Sequence, residues 1–189
     1  MDGPELPEVE AADQTFARRT ALTTAIYAVI LAIASLGGGN ATKEMLLAQQ
    51  QASDQWAFYQ AKAIREHQYR LQKLRLELEL AERSPTMDAA VRQRYQELLQ
   101  KSAQEEERYS AEKKDIEAEA RKLEQERDLN RQRDPNFDYA EVLLQIAIVT
   151  ASVSILATSW PLYVVSCLFA LGGTLLTLNG YTLLVPFLR

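Results

Sequence analysis

TALTTAIYAVILAIASLGGGNAT, residues 20 to 42, and VLLQIAIVTASVSILATSWPLYVVSCLFALGGTLLTLNGYTLLVPFL, residues 142 to 188, contain no Asp, Glu, Lys or Arg. The two runs are 23 and 47 residues long, and ~20 apolar residues suffice for a helix to cross a bilayer. The first run is long enough for one span and the second for two. Of the 47 charged side chains, seven precede residue 20 and thirty-eight lie between Lys43 and Asp138. Only Glu141 and Arg189 lie beyond. A mean hydropathy of −0.24 averages these unlike parts. Such a distribution excludes an ordinary soluble enzyme, and a net charge of −5 with no strong basic patch argues against nucleic acid as a partner.

Outward from the first run, residues 1–19 form an acidic tail containing Pro4 and Pro7, read as irregular up to residue 17. Arg18 and Arg19 before the run, and Ala34-Ser35-Leu36-Gly37 within it, also fit a cleavable signal. We read the segment instead as a signal anchor, a first transmembrane helix over 20–39. Gly37-Gly38-Gly39-Asn40 then closes it, because glycine follows helix ends and Asn40 can cap the next helix.

Residues 40–138 read as an extramembrane helical hairpin. In its first helix, 41–83, Ala52, Trp56, Tyr59, Ala63, His67, Leu71, Leu74, Leu78 and Ala81 recur at steps of three or four. A second row of Phe58, Ala61, Tyr69, Leu76 and Leu80 makes that helix apolar on more than one side and predicts more than one neighbour. Ser84-Pro85 breaks the pattern, with Ser84 as cap and Pro85 opening the next helix, placing the turn near 84–86. The second helix, 86–133, carries a thin stripe in which Tyr109, Ile116 and Leu123 are a heptad apart. At the standard rise the two helices are ~65 and ~70 Å long. Their similar lengths predict a long antiparallel coiled-coil hairpin that returns the chain to the surface it left. Asp134-Pro135-Asn136 ends it. Transmembrane helix 2 then occupies 139–160, a turn falls at Trp160-Pro161, and transmembrane helix 3 occupies 161–186. The predicted fold is therefore all-α.

Each span carries small residues at alternating steps of four and three. They are Ala21, Ala25, Ala28, Ala32, Ser35 and Gly39; then Ala147, Ala151, Ser154 and Thr158; then Ser166, Ala170, Gly173, Thr177 and Gly180. In lipid, close backbone approach drives helix association, so these seams predict packing, some of it between subunits. The expected packing residues are Trp56, Phe58, Tyr59, Ala28, Ala32, Gly173, Thr177 and Gly180.

Little in the sequence suggests chemistry. Glu141 and Gln145, with the hydroxyls of Thr150, Ser154 and Thr158, are the candidates for a polar path. Asp138 and Glu141 also have the spacing of a capping box, which is the simpler account of Glu141. His67 is the only histidine, and no metal-ligand cluster, cofactor loop or nucleophile triad surrounds it. Cys167, the only cysteine, cannot form an intrachain disulfide and reads as a small packing residue. The sequence thus predicts no enzyme, no cofactor and no metal.

ALTTAIYAV at 21–29, the glycine-rich exit after it, ASDQWAFYQAKAIREH at 52–67 and the closing apolar spans carry a resemblance. On these stretches the chain resembles a bacterial family of uncharacterised membrane proteins, the domain of unknown function 4337 family. The likeness extends from about residue 20 onward, and the acidic tail departs from it. It implies an integral bacterial membrane protein and transfers no activity or catalytic residue. The expected partners are the lipid bilayer, further copies of the chain, and an unidentified membrane protein that the aromatic stretch at 56–59 could dock. The expected location is the bacterial inner membrane. Lys43, Arg121, Lys122, Arg127, Arg131, Arg133 and Arg189 favour a cytoplasmic hairpin, whereas Arg18 and Arg19 pull the other way. The leading expectation is a homo-oligomeric scaffold or assembly protein. The alternative is an ion-conducting or energy-coupling subunit, and a minor one is an accessory subunit of a membrane enzyme.

Overall fold

A computed structural model describes residues 7–83 and 85–185, with side chains from residue 14 onward. Three α-helices follow one another: α1 Pro7–Arg83, α2 Ala89–Leu156 and α3 Trp160–Thr182. Among the described residues there is no strand, so the described part of the chain is all-α. α1 and α2 pack as an antiparallel hairpin, and all three helices are long and apolar enough to cross a membrane.

The helix boundaries correct four expectations. Helix begins at Pro7, inside the tail read as irregular, where proline lacks only an N–H that the first turn would leave unpaired. α1 runs unbroken through Gly37-Gly38-Gly39-Asn40. Three interior glycines cost about 1 kcal/mol each in propensity, and the packing described below offsets this for two of them. α2 likewise passes through Asp134-Pro135-Asn136. Because α2 is continuous there, Asp138 is a mid-helix residue and the Asp138–Glu141 capping box has no helix start to cap.

The fourth correction concerns the hairpin turn. α2 starts at Ala89, and its cap is Asp88, whose Oδ1 accepts the Ala90 N–H at 2.8 Å. Pro85 lies in the turn, which is closed by the Thr86 and Met87 N–H groups donating to the Arg83 carbonyl. The expected Ser84 cap lies outside the described residues, as do Pro4 and Arg189. At the other turn Ser159 precedes α3 and Pro161 sits in its first turn. Thr158 turns the chain in the left-handed region, at φ 44°.

Two compact units result: one comprises the chain up to Leu46 and from Asp128 onward, the other Leu47–Arg127. In the first unit Tyr27, Ala34, Ala140, Leu144, Ala147, Ala151 and Ala170 form the buried cluster, with Ile30, Leu31, Ile148, Phe169 and Leu176 against it. Buried positions on α1 recur every seven residues at Thr20, Tyr27, Ala34 and Ala41. In the second unit Ala48, Ala52, Ser102, Tyr109, Ala120 and Leu123 are buried. On α2 the seven-residue phase continues from Tyr109 and Leu123 to Asn130, Phe137, Leu144 and Ala151.

Candidate functional site

In the first unit, the helices meet around Phe137, which is 1% exposed. Its ring fills a socket of glycines from the other two helices. A β-carbon on Gly37 would stand 2.5 Å from Phe137 Cε1, and one on Gly180 would stand 2.7 Å from Cζ. Gly38 backs the Phe137 β-carbon, at 3.1 Å from the position its own would take. Tyr181 meets the Phe137 ring edge-on at 5.0 Å and donates its hydroxyl to the Ile33 carbonyl at 3.3 Å. Leu144, seven residues on, occupies a second socket at Gly173, whose β-carbon would come within 2.6 Å of Leu144 Cγ.

Polar groups beside this socket satisfy one another. Asn136 is fully buried, donates to the Gln132 carbonyl at 2.9 Å and accepts from Asn179 Nδ2 at 2.8 Å. Asn179 in turn accepts the Val185 N–H at 2.9 Å. Thr42 donates to Asp134 Oδ1 at 2.6 Å. In an apolar setting a buried amide left unpaired costs a few kcal/mol, so this closed set fixes how α2 and α3 meet. Nearby lies a 190 Å³ cavity lined by Gly37, Asn40, Ala41, Glu44, Asn130, Arg133, Phe137, Gly180 and Tyr181. Farther along, Tyr27 donates to Cys167 Sγ at 3.2 Å, so the lone thiol is a half-buried contact between α1 and α3.

The second unit is held differently, by charges across the hairpin. Glu66, with a side chain only 5% exposed, bridges Arg70 at 3.0 Å and Lys113 of α2. Glu106 bridges Arg70 at 2.8 Å and Lys73 at 2.6 Å, and Lys62 reaches Glu112 at 2.6 Å. Tyr109 is buried between these pairs, stacked on Tyr69 at 5.7 Å, with Arg108 4.7 Å from its ring centre. Hydrogen bonds from Lys73 and then Arg70 hold the Glu106 carboxyl below its ordinary value of 4.5, and the Lys62 bond does the same for Glu112. Among the described residues no group of three or more His, Cys, Asp and Glu is placed to hold a metal ion.

The residues singled out by sequence fall into separate places. Trp56 donates through Nε1 to Glu124 at 3.0 Å and meets Tyr59 edge-on at 5.4 Å, and Lys113 lies 5.5 Å over the Tyr59 ring, so both tie α1 to α2 within the hairpin. Phe58 is exposed, with Lys62 5.0 Å over its ring. Gly173, Thr177 and Gly180 are buried, as are Ser166 and Ala170 on the same seam. Ala147, Ala151 and Ser154 are buried on α2 as well, whereas Thr158 is exposed. On α1 the whole seam of Ala21, Ala25, Ala28, Ala32, Ser35 and Gly39 is exposed. Within the chain, α1 instead turns its Tyr27 and Ala34 face inward.

The polar-path residues do not come together. Glu141 is half-buried and Gln145 exposed. Thr150 lies nine residues, about two and a half turns, beyond Glu141, which places it on the opposite side of the helix. Thr150 donates to the Ile146 carbonyl at 2.7 Å and Ser154 to the Ala151 carbonyl at 2.7 Å, so both hydroxyls are engaged by their own helix. Sequence reasoning missed Phe137, Asn136 and Asn179. The available signal was the seven-residue phase of Tyr109 and Leu123, which carried forward reaches Phe137.

Residues 16–183 match the family described as Domain of unknown function (DUF4337). No curated protein and no solved structure matches the chain.

Proposed function

The chain belongs to the family described as Domain of unknown function (DUF4337), and from that premise we propose a homo-oligomeric, multi-pass scaffold of the bacterial inner membrane. Its hairpins associate as coiled coils outside the bilayer, and it has no catalytic role of its own. One observation carries this reading: Ile64, Leu71, Leu74 and Leu78 are each more than half exposed. They lie on the side of α1 turned away from α2, because Glu66, Tyr69 and Lys73 reach α2 from the other side. Their steps of seven, three and four are those of a coiled-coil seam. Leucines aligned on a solvated helix gain about 1.5–3 kcal/mol each when fully covered. A second copy supplies the matching stripe. The exposed alanine seam at 21–35 supports a further contact between copies, since small residues let helices in lipid approach closely.

Oxidative cross-linking in native membranes tests the proposal. In a Cys167→Ser background, Leu71→Cys is expected to give a disulfide-linked dimer and Gln72→Cys, one residue off the stripe, is not. A chain that stays monomeric at both Leu71→Cys and Leu78→Cys removes the scaffold reading. The hairpin is assigned to the cytoplasm on its basic residues. In the same background Thr86→Cys should then react with an impermeant maleimide only after the inner membrane is permeabilised. The alternative of an ion-coupling subunit has no comparable support, because the Thr150 and Ser154 hydroxyls bond to their own helix and Thr150 stands on the opposite side of it from Glu141.

A further inference from the structure

The 190 Å³ cavity beside the Phe137 socket is bounded by two unlike charges, Arg133 and Glu44, together with Asn40, Asn130 and the Tyr181 ring. Arg133 is incompletely satisfied. One terminal nitrogen donates to Asn130 Oδ1 at 3.3 Å, while its Nε is buried with no hydrogen-bond partner. Arg133 lines the cavity, its terminal nitrogens carry more N–H donors than the Asn130 bond uses, and the planar guanidinium fork fits phosphate oxygens. The cavity's place along the chain narrows the source of that phosphate. Asn40 and Glu44 straddle the end of the first charge-free run, Arg133 lies nine residues before the second, and Tyr181 is near the end of α3. On the membrane reading above, on which this inference rests, that level is the headgroup layer, where tyrosine rings collect. Basic pockets between spans at this level hold lipid headgroups.

We propose that the cavity binds the headgroup of a zwitterionic phospholipid carrying a primary ammonium, with the phosphodiester on Arg133 and the ammonium on Glu44. A carboxylate in the same cavity disfavours a purely anionic headgroup and gives an ammonium its counter-charge. Asn40 offers its amide to the phosphate and ester oxygens. Gly37, Gly180 and Phe137 form a floor without charge, suited to the glycerol end.

Native mass spectrometry of the full chain in mild detergent tests this, with dioleoyl phosphatidylethanolamine, dioleoyl phosphatidylglycerol or inorganic phosphate as the added probe. One phosphatidylethanolamine per chain is expected to be retained, with phosphatidylglycerol weaker by about tenfold. Glu44→Gln should erase that preference, and Arg133→Gln should release both lipids. Equal retention by the native chain and Arg133→Gln, a native preference for phosphatidylglycerol, or displacement of lipid by millimolar inorganic phosphate each overturns the proposal, the last in favour of a soluble phosphate ester. Circular dichroism melting confirms that each variant is folded, and if Arg133→Gln is not, the Glu44→Gln preference decides. Resistance of the native chain to alkaline carbonate extraction is scored separately. Its loss defeats the membrane reading, whereas retained resistance without lipid selectivity defeats only this inference.

Discussion

A β-carbon at Gly37 would collide with the Phe137 ring, whereas at Gly39, two residues on, it would meet nothing within 4 Å. Both glycines carry the same propensity cost within one helix, so any difference between their alanine variants reports the socket alone. Gly39→Ala is expected to stabilise the chain by about 0.5–1 kcal/mol, the ordinary gain of replacing an interior helical glycine. Gly37→Ala is expected to destabilise it by about 1–3 kcal/mol, the usual cost of overpacking. Phe137→Ala should cost more, about 3–5 kcal/mol, by leaving the socket empty. Thermal melts in detergent followed by circular dichroism separate the three, and equal shifts at Gly37 and Gly39 would mean that Phe137 does not fill the socket. The socket also explains why local reading of Gly37-Gly38-Gly39 misled. Glycine's own preferences argue for a helix end, while the reason for two of these glycines is an aromatic ring on another helix.

At the scale of elements, the hairpin depends on carboxylates that its cations keep ionised. Glu106 and Glu112 both titrate below 4.5, held down first by hydrogen bonds from Lys73 and Lys62. A carboxyl whose folded pKa is depressed binds its proton less readily than in the unfolded chain. The stability it contributes is therefore complete above the unfolded value and is lost as pH falls through the folded one. Trp56 can report this, because Trp160 is the chain's only other tryptophan. In a Trp160→Phe variant, the urea midpoint read from Trp56 fluorescence is expected to fall between about pH 5 and pH 3. The slope should flatten when Glu106→Gln and Glu112→Gln are combined. A midpoint independent of pH over that interval would show that these pairs contribute nothing. The ion pairs themselves were hard to foresee, since thirty-eight charges between Lys43 and Asp138 allow many pairings. The apolar period was legible: Tyr109 and Leu123 mark the buried phase, and Ala52, Trp56 and Tyr59 mark the opposing face.

For the whole molecule, the charge map separates two environments but assigns no direction to an apolar face. In the hairpin the apolar row locates the contact with α2 at Ala52, Trp56 and Tyr59, whereas Leu71, Leu74 and Leu78 of the same row are exposed. On the membrane reading, residues of the charge-free runs that face lipid are as apolar as those facing protein. The small-residue seam at 21, 25, 28, 32 and 35 is therefore, by sequence, as good a contact face as the Tyr27 and Ala34 face that α1 uses. The division into two compact units, one confined to Leu47–Arg127, makes the environments separable by experiment. Joining Tyr59 to Ile116 through a short turn removes the exposed Ile64–Leu78 stripe and the ion pairs of Glu66, Glu106 and Glu112. Every contact of Phe137, Asn136, Leu144 and Tyr27 described above is made inside the first unit and survives the excision. The shortened chain is thus expected to resist carbonate extraction and to keep the Gly37→Ala penalty to within about 0.5 kcal/mol, as independent sites do. Loss of that penalty would mean that the socket forms only with the distal hairpin in place. On the scaffold reading the same chain loses its hairpin seam, so copies should associate more weakly in native membranes. Undiminished association would move the interface from Leu71 and Leu78 to the alanine seam of α1, which Ala28→Leu would then disrupt in either length of chain.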